Sequence, residues 1–296
     1  MKIKQFLIQF LALCFSTLAS AQMDEAFMRK ASAVAPDLTF PVEIKELSVF
    51  SSHGMAIYKP DGAGTGPLPA VVLHHTCGGI RPEIREFTKQ FLELGYVVFV
   101  LDSLGPRGLT STCIPNDKMS ISRGTKDAFQ ALAHLKKFPL VDSARVAHMG
   151  FSWGAMAGLL VSSSEVAKVL STGERYAGVS SYYPMCYFPA NSKNPVSLEF
   201  LRPDVDKPLL VLMGGLDNET PPSDCLPRID ALKAKNAPIQ SHLYPNATHC
   251  WNCSSSNNFR KVDYKGDTIL YKYDKEVSED AFKRTVEFFR KLGITK

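Results

Sequence analysis

Gly150-Phe151-Ser152-Trp153-Gly154 is a segment built to present a nucleophile. A serine with glycine two residues to either side suits a tight turn from strand to helix, because the small residues let both elements approach and leave the hydroxyl at the tip. A serine hydroxyl is weakly nucleophilic at neutral pH. It needs a base, and the base needs a third group to fix its tautomer and stabilise its charged form. Two later segments supply candidates. The apolar run Leu209 to Met213 leads into Gly214-Gly215-Leu216-Asp217, and Ser241 to Tyr244 leads into Pro245-Asn246-Ala247-Thr248-His249. Asp217 is the candidate acid, with Glu219 and Asp224 as alternatives. His74 and His75 precede the nucleophile, His134 falls in a helical pattern and His242 lies inside a strand, which leaves His249 in the position of the base. Acyl transfer also needs backbone donors for a developing oxyanion. The amide of Trp153 is one candidate. Thr76 or Cys77, in His74-His75-Thr76-Cys77-Gly78-Gly79, offers the other.

These residues must be held by elements that bring distant loops together. Short apolar runs at Ala70 to Leu73, Val97 to Leu101, Val146 to Met149, Tyr176 to Tyr182, Leu209 to Met213 and Ser241 to Tyr244 read as strands. Between them, amphipathic patterns at 83–94, 125–138, 155–169 and 225–235, with a last one at 278–292, predict helices. Strands alternating with helices of this length imply an α/β architecture with a mainly parallel sheet, whose ligands bind at the carboxyl ends of the strands. Val42 to Phe50 and Met55 to Tyr58 read as an N-terminal hairpin, and no internal repeat or second domain is evident.

The chain has 296 residues, 45% of them apolar and 21% charged, an ordinary globular composition. Lys2 and Lys4 precede an apolar run from Phe6 to Leu18 that ends at Ala19-Ser20-Ala21, the pattern of a signal peptide over 1–21. Residues 22–41 form a polar lead-in, and 42–296 the folded domain. Of the formal net charge of +5, two cations leave with the leader, and the remaining basic residues are scattered, so no nucleic acid partner is expected. No later segment is apolar and long enough to insert stably in a membrane. Cys14 also leaves, and Cys77, Cys113, Cys186, Cys225, Cys250 and Cys253 remain, an even set in an exported chain, where disulfides are the expectation. Glycosylation sequons at Asn218, Asn246 and Asn252 adjoin the candidate catalytic residues, which argues for a bacterial periplasmic or secreted protein.

From about Val42 to Leu292 the chain resembles the dienelactone hydrolase family, in its exported branch with a serine nucleophile. The resemblance is carried by His75-Thr76-Cys77-Gly78-Gly79, Asp102-Ser103-Leu104-Gly105-Pro106-Arg107-Gly108, Gly-Phe-Ser-Trp-Gly at 150–154, Asp217 and His249. It implies an α/β-hydrolase fold with helices on both faces of the sheet, and cleavage of a small ester or lactone without cofactor or metal. The best-known members carry cysteine where this chain has Ser152, and the long segment between His249 and the last helix is a further departure. In this fold Cys77 and Cys113 follow neighbouring strands, as do Cys186 and Cys225, which implies two bridges around the active site, with Cys250 and Cys253 paired locally or free.

Arg107 is a candidate to hold a substrate carboxylate, or else ties down its own loop. Trp251, with Trp153, Tyr183 and Phe188, is a candidate lining residue for an aromatic pocket. The segment from Cys250 to Tyr273 is expected to form a flap or hairpin at the site's mouth, with a short strand over Thr268 to Tyr273. Two alternatives remain: an exported peptidase or amidase on the same fold, and thiol-disulfide exchange by Cys250-Trp251-Asn252-Cys253.

Overall fold

Val71 and Leu73 face one side of a sheet, Ala70 and Val72 the other, and each pair belongs to a different hydrophobic core. Successive side chains of a strand point to opposite faces, so a strand that is apolar at every position must be covered on both. The computed structural model shows this arrangement and describes residues 25–46, 54–64, 66–114, 117–189, 197–263 and 266–296. The expected leader over 1–21 lies outside the described residues.

The main sheet contains β1 (Ile44–Glu46), β2 (Ala56–Lys59), β3 (Leu68–His74), β4 (Val97–Leu101), β5 (Val141–Phe151), β6 (Gly178–Tyr182), β9 (Leu209–Gly214) and β10 (Ile239–Tyr244). Its order is β1-β2-β4-β3-β5-β6-β9-β10. The run from β4 to β10 is parallel, and β2 pairs antiparallel with β4. Helices α2 (Pro82–Glu93) and α7 (Lys275–Lys291) bury Phe87, Phe91 and Phe289 on one face. Helices α3 (Ile121–Leu135), α4 (Trp153–Val161), α5 (Ser164–Leu170) and α6 (Pro222–Ala234) cover the other through Phe129, Leu159, Val166 and Ile229. This is the α/β-hydrolase arrangement. Small antiparallel pairs, β7 (Tyr187–Phe188) with β8 (Leu198–Glu199) and β11 (Arg260–Val262) with β12 (Thr268–Leu270), stand outside it.

Three sequence expectations change. The N-terminal pair is not a hairpin among the described residues, because Ile44 lies opposite Ile57 and Glu46 opposite Lys59 in parallel register. Short runs of alternating residues carry no information about strand direction. The helix expected over 155–169 is broken at Ser162 and Ser163, and Asp204 from a distant loop caps the second half, accepting from Ser163 Oγ at 2.8 Å and from the Glu165 amide at 2.7 Å. The lead-in contains a helix, α1 (25–32), whose Met28 joins the main core. Disulfides join Cys77 to Cys113 and Cys186 to Cys225, 36 and 39 residues apart, and Cys250 to Cys253.

Candidate active site

Ser152 sits between β5 and α4 at φ 49° and ψ −108°, a conformation a non-glycine residue adopts only when its surroundings impose it. Its amide donates to the Tyr182 carbonyl at 2.9 Å, and the Gly154 amide to the His75 carbonyl at 3.0 Å. The flanking glycines are sterically required. A Cβ on Gly150 would lie 2.1 Å from the Gly154 carbonyl oxygen, and one on Gly154 would lie 2.4 Å from that of His74.

Beyond the carboxyl end of β9, the carboxylate of Asp217 accepts from the amides of Glu219 and Thr220, both at 2.9 Å, and from the Thr220 hydroxyl at 2.8 Å. The two amides hold Oδ1, and Oδ2, which takes the Thr220 hydroxyl, also faces His249, which follows β10. His249 Nδ1 lies 2.7 Å from Asp217 Oδ2, and Nε2 lies 3.0 Å from Ser152 Oγ. Of the three acids considered from sequence, Asp217 faces Nδ1, Glu219 sits 3.8 Å from Nε2 on the other side of the ring, and Asp224 is carried away on α6. Glu219 is held by Lys261 at 2.7 Å and by the Tyr271 hydroxyl at 2.8 Å, both from the segment containing β11 and β12.

Burial disfavours the imidazolium of His249, but the charges of Asp217 and Glu219 and the hydrogen bond to Asp217 outweigh it, so its pKa is raised. Burial likewise opposes ionisation of Glu219, yet His249, Lys261 and the Tyr271 hydroxyl hold its pKa below the ordinary value. Glu219 is thereby held ionised beside the imidazole.

The Trp153 amide is the first of α4, where a helix leaves its N–H groups without intrahelical acceptors. Cys77 shares the cavity wall with Ser152 and Trp153, and the Thr76 hydroxyl accepts from the Gly78 amide, tightening the loop after β3. Beneath that loop, the ring of Trp153 stacks on His75 with centroids 5.7 Å apart and fills the space that Gly124 leaves open. A cavity of about 620 Å³ opens onto Ser152, lined mostly by apolar side chains, among them Met119, Met156, Met185 and Phe188.

The model of the dienelactone hydrolase family matches residues 54–293. This chain belongs to the dienelactone hydrolase family. It is thereby an ester-hydrolysing enzyme. It is 24% identical over 246 residues to a protein of Methylorubrum extorquens named "Putative carboxymethylenebutenolidase", covering 80% of this chain and 77% of that one. A protein of Escherichia coli K12 with the same name is 26% identical over 242 residues, covering 78% and 80%. Among solved structures, a dienelactone hydrolase-like promiscuous phosphotriesterase from metagenomic libraries superposes with a TM-score of 0.58 at 19% identity, covering 79% of this chain and 90% of that one. Esterase 2 of Thermogutta terrifontis, phosphoramylated by tabun, superposes with a TM-score of 0.60 at 14% identity, covering 81% and 90%.

In this member of the dienelactone hydrolase family Arg107 and Trp251, two candidate substrate contacts, lie away from the cavity, and Arg107 takes the alternative role of tying down its own loop. Arg107 does not reach the cavity. Its guanidinium is buried, pairs with Asp127 at 2.7 and 2.9 Å, and donates to the carbonyls of Ser103 and Pro36. Trp251 is fully buried, since the chain turns at left-handed Cys250 (φ 58°) and sends the indole into the core among Tyr182, Tyr183 and Tyr244. Cys250 and Cys253 are almost wholly buried in that turn, without the exposed thiolate that disulfide exchange needs. The flap expected after His249 is the β11–β12 hairpin, whose Lys261, Val262 and Asp263 line the cavity. Sequence reasoning missed Thr220 as the orienting group of the acid. It also missed Phe27 and Ala31 of α1 on the cavity wall, where the one available signal was their spacing of one helical turn.

Proposed function

We propose that the protein cleaves a carboxylic ester or lactone through an acyl-enzyme on Ser152. His249 Nε2 takes the hydroxyl proton as Oγ attacks the carbonyl carbon. The amide of Trp153, together with that of Thr76 or Cys77, stabilises the oxyanion. The proton then passes from His249 to the departing alkoxide. Water attacks the acyl-enzyme by the reverse route, and Asp217 holds the ring and stabilises its charged form throughout.

The observation that carries this reading is the hydroxyl-imidazole-carboxylate relay of 3.0 and 2.7 Å at a strained turn that lines the cavity. The name of the curated relatives points the same way, to a lactone or ester. Ser152→Ala should lower hydrolysis of p-nitrophenyl esters on the order of 10⁴-fold and abolish labelling by a fluorophosphonate, with the circular dichroism spectrum unchanged. An active, labelled mutant would refute the assignment.

The leader pattern and the paired cysteines support export to the periplasm or beyond. Sequencing the N-terminus of the protein recovered outside the cytoplasm should begin at Gln22. Recovery of the uncleaved chain from the cytoplasm would contradict it.

A further inference from the structure

Phe27 and Ala31 stand one turn apart on α1, a spacing that puts two side chains on one helix face, and both line the cavity that contains Ser152. On the inward side Met28 and Ser32 are buried against the domain, and on the outward side Arg29 pairs with Glu25 at 2.8 Å. The segment is pinned along its length. Ser120 Oγ donates to the Ala31 carbonyl at 2.6 Å, Arg123 donates to the Ser32 carbonyl at 3.1 Å and to Asp37 at 2.7 Å, and Arg107 donates to the Pro36 carbonyl at 3.0 Å. The two guanidiniums share the fully buried Asp127. Buried charges persist only in a geometry that satisfies them all, so this cluster fixes where the N-terminal arm lies.

The geometry points to a substrate with a bulky, uncharged, apolar group on one side of the scissile ester, its length limited by Phe27 and Ala31. The inference rests on the reading of Ser152 as nucleophile only in saying which end of the cavity holds the ester. Met119, Met156, Met185 and Phe188 give this cavity flexible and aromatic apolar walls. A carboxylate on the bound group would lose its hydration against these side chains, and Lys261 on the wall is engaged by Glu219.

Phenyl alkyl ketones of increasing chain length fill such a pocket and cannot be cleaved. Calorimetry with the parent protein should show Kd tightening about fourfold per buried methylene until the chain meets α1. Phe27→Ala should extend the series and Ala31→Phe should shorten it. The same cut-off in all three proteins overturns the assignment of the wall. Tighter binding when the chain ends in a carboxylate overturns the uncharged class. Because the ketones report the pocket and fluorophosphonate labelling reports Ser152, failure of one reading is distinguishable from failure of the other.

Discussion

His249 is 2% exposed, and an imidazole so removed from water takes up a proton only where nearby carboxylates stabilise the charge. Asp217 and Glu219 do so from opposite edges of the ring, and the base's pKa lies above the ordinary 6.5. The proposed mechanism uses the neutral ring, so kcat/KM should rise with pH through a midpoint above that value. In Glu219→Gln one of the two carboxylates is gone and the Lys261 cation is left opposing the imidazolium, so the acid limb of the profile should move to lower pH while turnover at its plateau persists. An unmoved limb would show that Glu219 has no electrostatic hold on the base. Asp217→Asn should instead lower turnover by about 10⁴-fold, since an amide neither fixes the reactive tautomer nor balances the imidazolium. Asp217 and Glu219 are only two residues apart in the chain, and nothing in that spacing tells which nitrogen each will face.

The elements around Ser152 are bound by contacts that leave no room for ordinary side chains at the flanking glycines. In Gly154→Ala the new methyl would meet the carbonyl oxygens of both His74 and His75, at 2.4 and 2.6 Å. Backbone cannot yield as a flexible side chain can, so the substitution should cost more than about 4 kcal/mol or prevent folding, read by urea denaturation. A stable and active variant would mean that β3 and α4 can separate without disturbing the turn. The β11–β12 hairpin is a different kind of element, with Arg260 and Val262 largely exposed. Its Lys261, Val262 and Asp263 line the cavity and Lys261 holds Glu219, so replacing 260–270 by a short glycine-rich link should alter ester preference and KM while Ser152 still reacts with a small fluorophosphonate. An unchanged substrate profile would reduce the hairpin to a surface excursion.

Over the whole molecule, the sheet's carboxyl edge is underlain by three fully buried histidines. His148 Nε2 lies 3.4 Å from His74 Nδ1, His74 Nε2 lies 3.2 Å from Ser103 Oγ, and His75 Nε2 accepts from the Ser103 amide at 3.0 Å. Burial lowers the pKa of all three, that of His148 to about 3, with Asp102 pulling His75 partly back. Their unfolded forms protonate near 6.5 while the folded forms resist, so their contribution is complete above that pH and is lost on acidification below it. His249, with its raised pKa, acts in the opposite sense but is one group against three. Thermal unfolding midpoints should therefore fall between pH 6.5 and 5, His148 alone contributing about 1 kcal/mol per pH unit; a flat profile would contradict the buried neutral cluster. Reducing the two long-loop disulfides should remove roughly 3 to 4 kcal/mol apiece in the chain-entropy model, measured by unfolding with and without reductant. Local sequence was enough for what depends on periodicity and chain order: Val97 to Leu101 as a strand, the glycine-flanked Ser152, and Asp217 and His249 after later strands. It also sufficed, with the resemblance, for the pairing of Cys77 with Cys113 and Cys186 with Cys225. Tertiary structure alone decided that β1 runs parallel to β2, that Asp204 caps the second half of the broken helix after Ser152, that Arg107 is bound by Asp127, that Trp251 turns inward, and that Phe27 lines the cavity. Each of these depends on a partner dozens of residues away, and charge, aromaticity and helical spacing leave the choice of such a partner open until packing and desolvation select it.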